Sequence, residues 1–123
     1  MYTLDTNAII YYLKDDPDTV SSLRNIFAQN VPLYVSAMTE LELFGFSNLS
    51  AAEETLIEEL LATVAVISMD SRIARLAAFI RRQHRLKVPD SVIAATALFT
   101  GSTLLTRNTR DFRRVTRLSV LKV

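Results

Sequence analysis

The chain has 123 residues, half of them hydrophobic, with two glycines, three prolines, one histidine and no cysteine. That length supports one domain with a genuine core, and so little Gly and Pro argues against long disordered linkers. The missing thiols exclude disulfides, thiol nucleophiles and thiolate zinc, so any metal must be held by oxygen. The formal net charge of +1 conceals a segregation, because residues 1–60 carry ten acids against Lys14 and Arg24, while residues 61–123 carry three acids against twelve bases.

Met1 to Leu4 is a short apolar run that predicts a strand over residues 2–4, and it delivers Asp5 to one edge of a sheet. Residues 7–13 read as a short helix. Asp16-Pro17 opens a second, with Val20, Leu23 and Phe27 on one face. Leu33 to Val35 is the next strand, after which Ser36 caps a helix running to about residue 46. Ser50-Ala51-Ala52-Glu53 is a capping box for a helix whose Leu56, Ile57, Leu60, Leu61 and Val64 face inward.

Residues 65–68 form a weaker strand, and Asp70 or Ser71 caps a helix bearing Ile73, Leu76, Ala77 and Ile80. Its last turn is crowded with Arg81, Arg82, Arg85 and Lys87, which suits the helix dipole. Pro89-Asp90 starts an uncharged, buried helix over 91–100 that Gly101 ends. Strands at 103–106 and 118–123 flank the polar segment 107–117. Short apolar strands alternating with helices predict a parallel sheet covered on both faces, with function gathered at the carboxyl ends of the strands.

Acids recur at those ends: Asp5 after the first strand, Glu40 and Glu42 in the helix after the second, Asp90 at the start of the apolar helix, and Asp111 after the fourth. Collected at one edge they would repel one another, and a hard divalent cation held by oxygen is the ordinary remedy. Taken singly, Asp5 and Asp90 could be helix-capping residues. Glu40 and Glu42 diverge by roughly 200° around a helix, so only one can reach such a site. The apolar stripe between them does not choose, although Gly45 leaves room beside Glu42. Around Thr106-Arg107-Asn108-Thr109-Arg110-Asp111-Phe112, the bases Arg107, Arg110, Arg113 and Arg114 surround Asp111 and are the expected contacts to phosphates. His84 sits on an Arg-rich helix end and reads as a surface residue.

Four segments, Leu4-Asp5-Thr6-Asn7, Val35-Ser36-Ala37-Met38-Thr39-Glu40-Leu41-Glu42-Leu43, Val88-Pro89-Asp90-Ser91-Val92-Ile93-Ala94-Ala95-Thr96-Ala97-Leu98 and Leu104-Leu105-Thr106-Arg107-Asn108-Thr109-Arg110-Asp111-Phe112, together resemble the PIN domains. The likeness is closest to the VapC-like ribonuclease toxins of prokaryotic toxin–antitoxin pairs, and it spans nearly the whole chain. It implies a single domain over 1–123 with a three-layer α/β/α, Rossmann-like fold around a parallel sheet of four to five strands. It also implies an acidic site of Asp5, Glu42, Asp90 and Asp111 for Mg²⁺ or Mn²⁺, with Glu42 indicated by its six-residue step from Ser36. Thr6, Asn7, Thr106 and Asn108 look like the supporting polar residues. The resemblance further implies cleavage of single-stranded or loop RNA, a homodimer, and inhibition by a small protein antitoxin.

No apolar run approaches the roughly 20 residues that span a bilayer, and no basic segment precedes an apolar stretch at the N-terminus, so a cytoplasmic protein is expected. Two other readings compete. A receiver-type signalling domain would use Asp70 as phosphoacceptor and Thr106 as switch residue, but no paired acid accompanies Asp5 and no final helix follows. A catalytically silent interaction domain would use the acids only as caps.

Overall fold

The computed structural model describes all 123 residues. Five parallel strands form one sheet: β1 (Tyr2–Leu4), β2 (Leu33–Ser36), β3 (Ala65–Ile67), β4 (Thr103–Thr106) and β5 (Val120–Lys122), in the spatial order β3-β2-β1-β4-β5. Seven helices connect them: α1 (Thr6–Leu13), α2 (Pro17–Phe27), α3 (Ala37–Phe44), α4 (Ala51–Leu61), α5 (Ser71–His84), α6 (Val88–Thr100) and α7 (Thr109–Phe112). The chain starts at the centre, steps outward through β2 to β3, and returns across β1 to lay β4 and β5 on the other side. Connections leaving β1 and β4 therefore diverge, and the divergence opens a crevice at their carboxyl ends.

Side chains alternate along each strand, and that alternation builds two cores. Leu104 enters the first with Ile73, Ala77 and Ile80 of α5, Val92 to Ala95 of α6, and Phe112. Leu105 enters the second with Leu4, Val35, Ala8 and Ile9 of α1, Leu23 and Ile26 of α2, Leu43 of α3 and Ile57 of α4. Helices thus cover both sheet faces, the three-layer arrangement expected from the strand and helix pattern. Small side chains make α6 the closest-packed helix, with residues 91–97 all buried.

Local boundaries differ in ways that have plain causes. Helix α6 begins at Val88, three residues earlier than its uncharged run, because Lys87 is the extended N-cap and Pro89 fits the first turn. Gly45 ends α3 two residues early. Along α4 only Ile57 is buried and Leu56 is 46% exposed, since a peripheral helix brings just the middle of its apolar stripe to the core. In α2 the buried residues are Thr19, Leu23 and Ile26, with Val20 and Phe27 at the margin. The last strand is only Val120–Lys122, because the chain turns through Val115 and Leu118 before it.

Phe112 is fully buried in the first core although it belongs to a four-residue helix in a polar segment. Its ring pins that segment to the sheet. Phe112→Ala should lower stability by about 3–5 kcal/mol, the range for truncating a buried phenylalanine. Urea denaturation checks it, and a loss below about 1 kcal/mol would mean that the ring is not the anchor.

Candidate active site

Asp5 occupies the N-cap position of α1 yet makes no capping hydrogen bond. Its carboxylate instead accepts a hydrogen bond from Thr106 Oγ1 at 2.7 Å, across the pairing of β1 with β4. Asp90 lies in the first turn of α6, where the N-cap residue Lys87 offers no side-chain bond. Asp111 lies in the first turn of α7, held by Asn108 Nδ2 at 3.0 Å. Other acids do serve as caps: Asp16 accepts from the Thr19 amide, Asp70 from the Ile73 amide, and Glu53 completes the box with Ser50. The capping explanation that the sequence leaves open for Asp5 therefore does not hold.

Thr6 Oγ1 donates to Glu42 Oε1 at 2.7 Å and lies 3.0 Å from Thr39 Oγ1. A hydroxyl has one proton, and the charged acceptor at the shorter distance is the stronger of the two, which leaves Thr39 as a close polar neighbour. Helix α3 thus turns Glu42 toward β1, and Ser36, which accepts from the Met38 amide, sets where that helix begins. Glu40 lies elsewhere on α3 and is absent from the charges acting on Asp5 and Asp90. A cleft beside Glu42 is lined by Thr6, Asn7, Ile10, Leu41, Gly45 and Phe46. A Cβ at position 45 would stand 2.6 Å from the Leu41 carbonyl oxygen, so glycine is needed there.

Burial pushes the Asp5 carboxyl up to about 6, against the lowering effect of the Thr106 bond, and the charges of Asp90 and Glu42 raise it further. Asp90 is also raised, first by burial and then by Glu42 and Asp111, with Lys87 opposing. Four carboxylates from four different elements therefore feel one another at one end of the sheet. None of Asp5, Glu42 and Asp90 has a base within ion-pair distance, since the ion pairs are Arg72–Asp70, Arg107–Asp16 and Arg114–Asp111.

The acids stand apart rather than converging at coordination distance on a common point. An all-oxygen donor set with buried, unneutralised charge suits a hard divalent ion such as Mg²⁺ or Mn²⁺.

Of the supporting residues, Thr6, Thr106 and Asn108 each hold one of these acids, and Asn7 is exposed at the cleft. The arginines divide. Arg110 and Arg113 are exposed, and Arg114 reaches Asp111 at 3.5 Å. Arg107 departs from the sequence expectation, because its Nη1 is bound to Asp16 and Thr19 and its guanidinium stacks on Tyr11. Lys87, read from sequence only as part of a basic helix end, is the cation that acts on Asp90. Their three-residue spacing across the first turn of α6 is the signal, legible once the helix is known to start at Val88. His84 ends α5, half-buried and remote from the acids.

The sequence matches the PIN domain family over residues 2–118. It is 32% identical over 127 aligned residues to Ribonuclease VapC1 of Haemophilus influenzae strain R2866, covering 96% of this chain and 94% of that protein. It is 31% identical to the tRNA(fMet)-specific endonuclease VapC of Shigella flexneri, covering 93% of this chain and 91% of the relative. Among solved structures, the fold is similar to a chain of a toxin–antitoxin complex from Klebsiella pneumoniae, with a TM-score of 0.81 and 27% identity over 98% of this chain and 96% of that one.

Proposed function

This chain belongs to the PIN domain family, and from that premise we propose that it is a metal-dependent endoribonuclease, the toxin of a toxin–antitoxin pair, acting in the cytoplasm as a homodimer, with residues 1–123 forming one PIN domain. The observation that carries the reading is the set of acids at the β1–β4 crevice, three of them with neither a capping hydrogen bond nor an ion-paired base. Asp5, Glu42, Asp90 and Asp111 would hold Mg²⁺ or Mn²⁺, which when bound supplies a lowered pKa for the attacking water and positive charge for the phosphodiester. Thr106, Thr6 and Asn108 each fix one carboxylate by a hydrogen bond, which orients its remaining oxygens. A recessed acidic crevice excludes a stacked duplex, so single-stranded or loop RNA is the substrate class, in keeping with the tRNA named for one relative.

The receiver alternative fits poorly. It needs its phosphoacceptor beside a central strand, whereas β3 lies at the sheet edge and Asp70 is an exposed cap paired with Arg72. Incubating the purified protein with labelled single-stranded RNA and Mn²⁺, and separately with acetyl phosphate, tests both. Cleavage that stops in EDTA supports the nuclease, and cleavage that persists in EDTA refutes metal dependence.

RNA affinity should fall with salt. Arg110→Ala and Arg113→Ala should each lower the slope of log affinity against log salt by roughly 0.7 for every phosphate the missing guanidinium would have neutralised. Unchanged slopes in both variants would place the RNA elsewhere.

For the antitoxin, the acidic half presents exposed Phe46 at a largely apolar cavity of about 160 Å³ lined by Ile10, Leu13, Leu43, Leu49 and Ile57, while exposed Tyr11 lies under the Arg107 guanidinium. Tyr12 and Phe44 are partly withdrawn into the second core. An amphipathic segment laying apolar anchors there could also point an arginine at the carboxylates. Expression alone should arrest growth of a bacterial host, and co-expression of the neighbouring small gene should restore it. Harmless expression of active protein with no partner recovered would remove the toxin reading and leave the nuclease.

A further inference from the structure

Arg107 stands between the two residues that hold site acids. Thr106 on one side donates to Asp5 at 2.7 Å, and Asn108 on the other donates to Asp111 at 3.0 Å. The Asn108 amide also donates to Thr106 Oγ1 at 2.9 Å, so these residues form one continuous network. Arg107 leaves that network in the opposite direction. Its Nη1 donates to Asp16 Oδ2 at 2.8 Å and to Thr19 Oγ1 at 2.9 Å, and its guanidinium carbon lies 4.6 Å from the centre of the Tyr11 ring.

The anchorage is itself rigid. Asp16 caps α2 by accepting from the Thr19 amide at 3.1 Å, Thr19 is fully buried, and the Asp16 amide bonds the Tyr11 carbonyl at 3.0 Å. A planar fork that stacks on a ring while donating to fixed acceptors is a job for arginine rather than lysine.

We infer that Arg107 is a positioning residue, which clamps the β4–α7 segment to the α1–α2 junction and so sets the placement of Asp5 and Asp111 through Thr106 and Asn108. This rests on the nuclease reading. Among the four arginines of the segment, Arg107 acts on the site from behind, and its neighbours Arg110 and Arg113 face solvent.

The test uses the full-length protein, labelled single-stranded RNA and Mn²⁺, and compares Arg107→Ala, Arg107→Lys and Asp16→Asn with Arg113→Ala. Asn keeps the capping acceptor of α2, so Asp16→Asn removes the charge without removing the cap. Arg107→Ala should lower kcat on the order of 10- to 100-fold, the scale of a small misplacement of reacting groups, with KM nearly unchanged and the salt slope intact. Arg107→Lys should not restore kcat. Asp16→Asn, which keeps an acceptor at the oxygen that meets both Thr19 and Arg107 and removes only its charge, should lower kcat by less, and the double variant should be no worse than Arg107→Ala, because both changes act on one connection.

Arg113→Ala should do the reverse, raising KM and flattening the slope. A raised KM and flattened slope in Arg107→Ala would overturn the inference in favour of direct RNA contact, as would strictly additive losses in the double variant. If Arg107→Ala does not fold, Asp16→Asn decides by the same kcat and KM readouts. If the wild type cleaves no RNA, the nuclease reading fails separately. Amide exchange over residues 108–111 then decides, being faster in both single variants if the clamp exists and unchanged if it does not.

Discussion

Asp5→Asn and Asp90→Asn should each abolish cleavage while leaving the fold at least as stable. The activity loss should exceed the roughly 10- to 100-fold typical of changes outside a metal's direct ligands, because each variant removes one of four charges that the cation would meet. Stability should move the other way. Asp5 is buried, and its carboxyl is pushed up to about 6 by desolvation and by Asp90 and Glu42. A group whose folded pKa lies above its unfolded value of 3.8 binds more protons when folded. In EDTA its ionisation therefore costs stability progressively as pH rises from about 4 to about 6, with the full cost present at pH 7. The cost is at most about 3 kcal/mol, at 1.36 kcal/mol per unit of pKa.

Asn escapes that cost and can still accept from Thr106. Asp5→Asn should therefore melt above wild type at pH 7 in EDTA, and the gap should close as pH falls toward 4. Added Mn²⁺ should raise the melting temperature of wild type and not that of the variant, since only an intact ligand set couples the ion to folding. Full activity in either variant, or an Asp5→Asn protein less stable than wild type at pH 7, would contradict the assignment.

Glu42→Gln should be inactive and Glu40→Gln should retain near-wild-type kcat. The two acids are neighbours in composition and in helix, yet only Glu42 receives the Thr6 hydroxyl and acts on Asp5 and Asp90. Gln keeps the Thr6 bond through its carbonyl oxygen, so a loss in Glu42→Gln reports charge rather than packing. Titration calorimetry with Mn²⁺ offers a second readout, weakened for Glu42→Gln and unchanged for Glu40→Gln. The opposite pattern would reassign the second acid to Glu40.

Much of this molecule was legible from residue order, because its signals are local. The capping box at Ser50 and Glu53, the proline at the start of α2 and the glycine after α6 each act within a few residues, and the structure realises all three. Alternating strands and helices required a parallel sheet, and the uncharged run after Asp90 required a buried helix. Asp5, Asp90 and Asp111 could be proposed from their places after strands and in first turns, whereas the choice of Glu42 over Glu40 came from the likeness to PIN domains.

Which of those acids act on one another was decided only when the sheet was assembled. Whether Asp5 caps its helix or answers Thr106 depends on β1 lying beside β4, a pairing that brings together residues 101 positions apart. The divergence of Glu40 and Glu42 was a helical fact, but which of them faces Thr6 depended on how α3 rolls against α1. Arg107 is the sharpest case. By composition it is one basic residue among four near Asp111, and only the packing of α2 beneath β4 gives it Asp16, 91 residues away, as a partner. Hydrophobic periodicity and capping identify each element because their patterns lie among neighbours in sequence, although the apolar faces gain their energy from tertiary burial. Charge pairing and hydroxyl orientation are settled by neighbours in space, and those exist only after the backbone has closed.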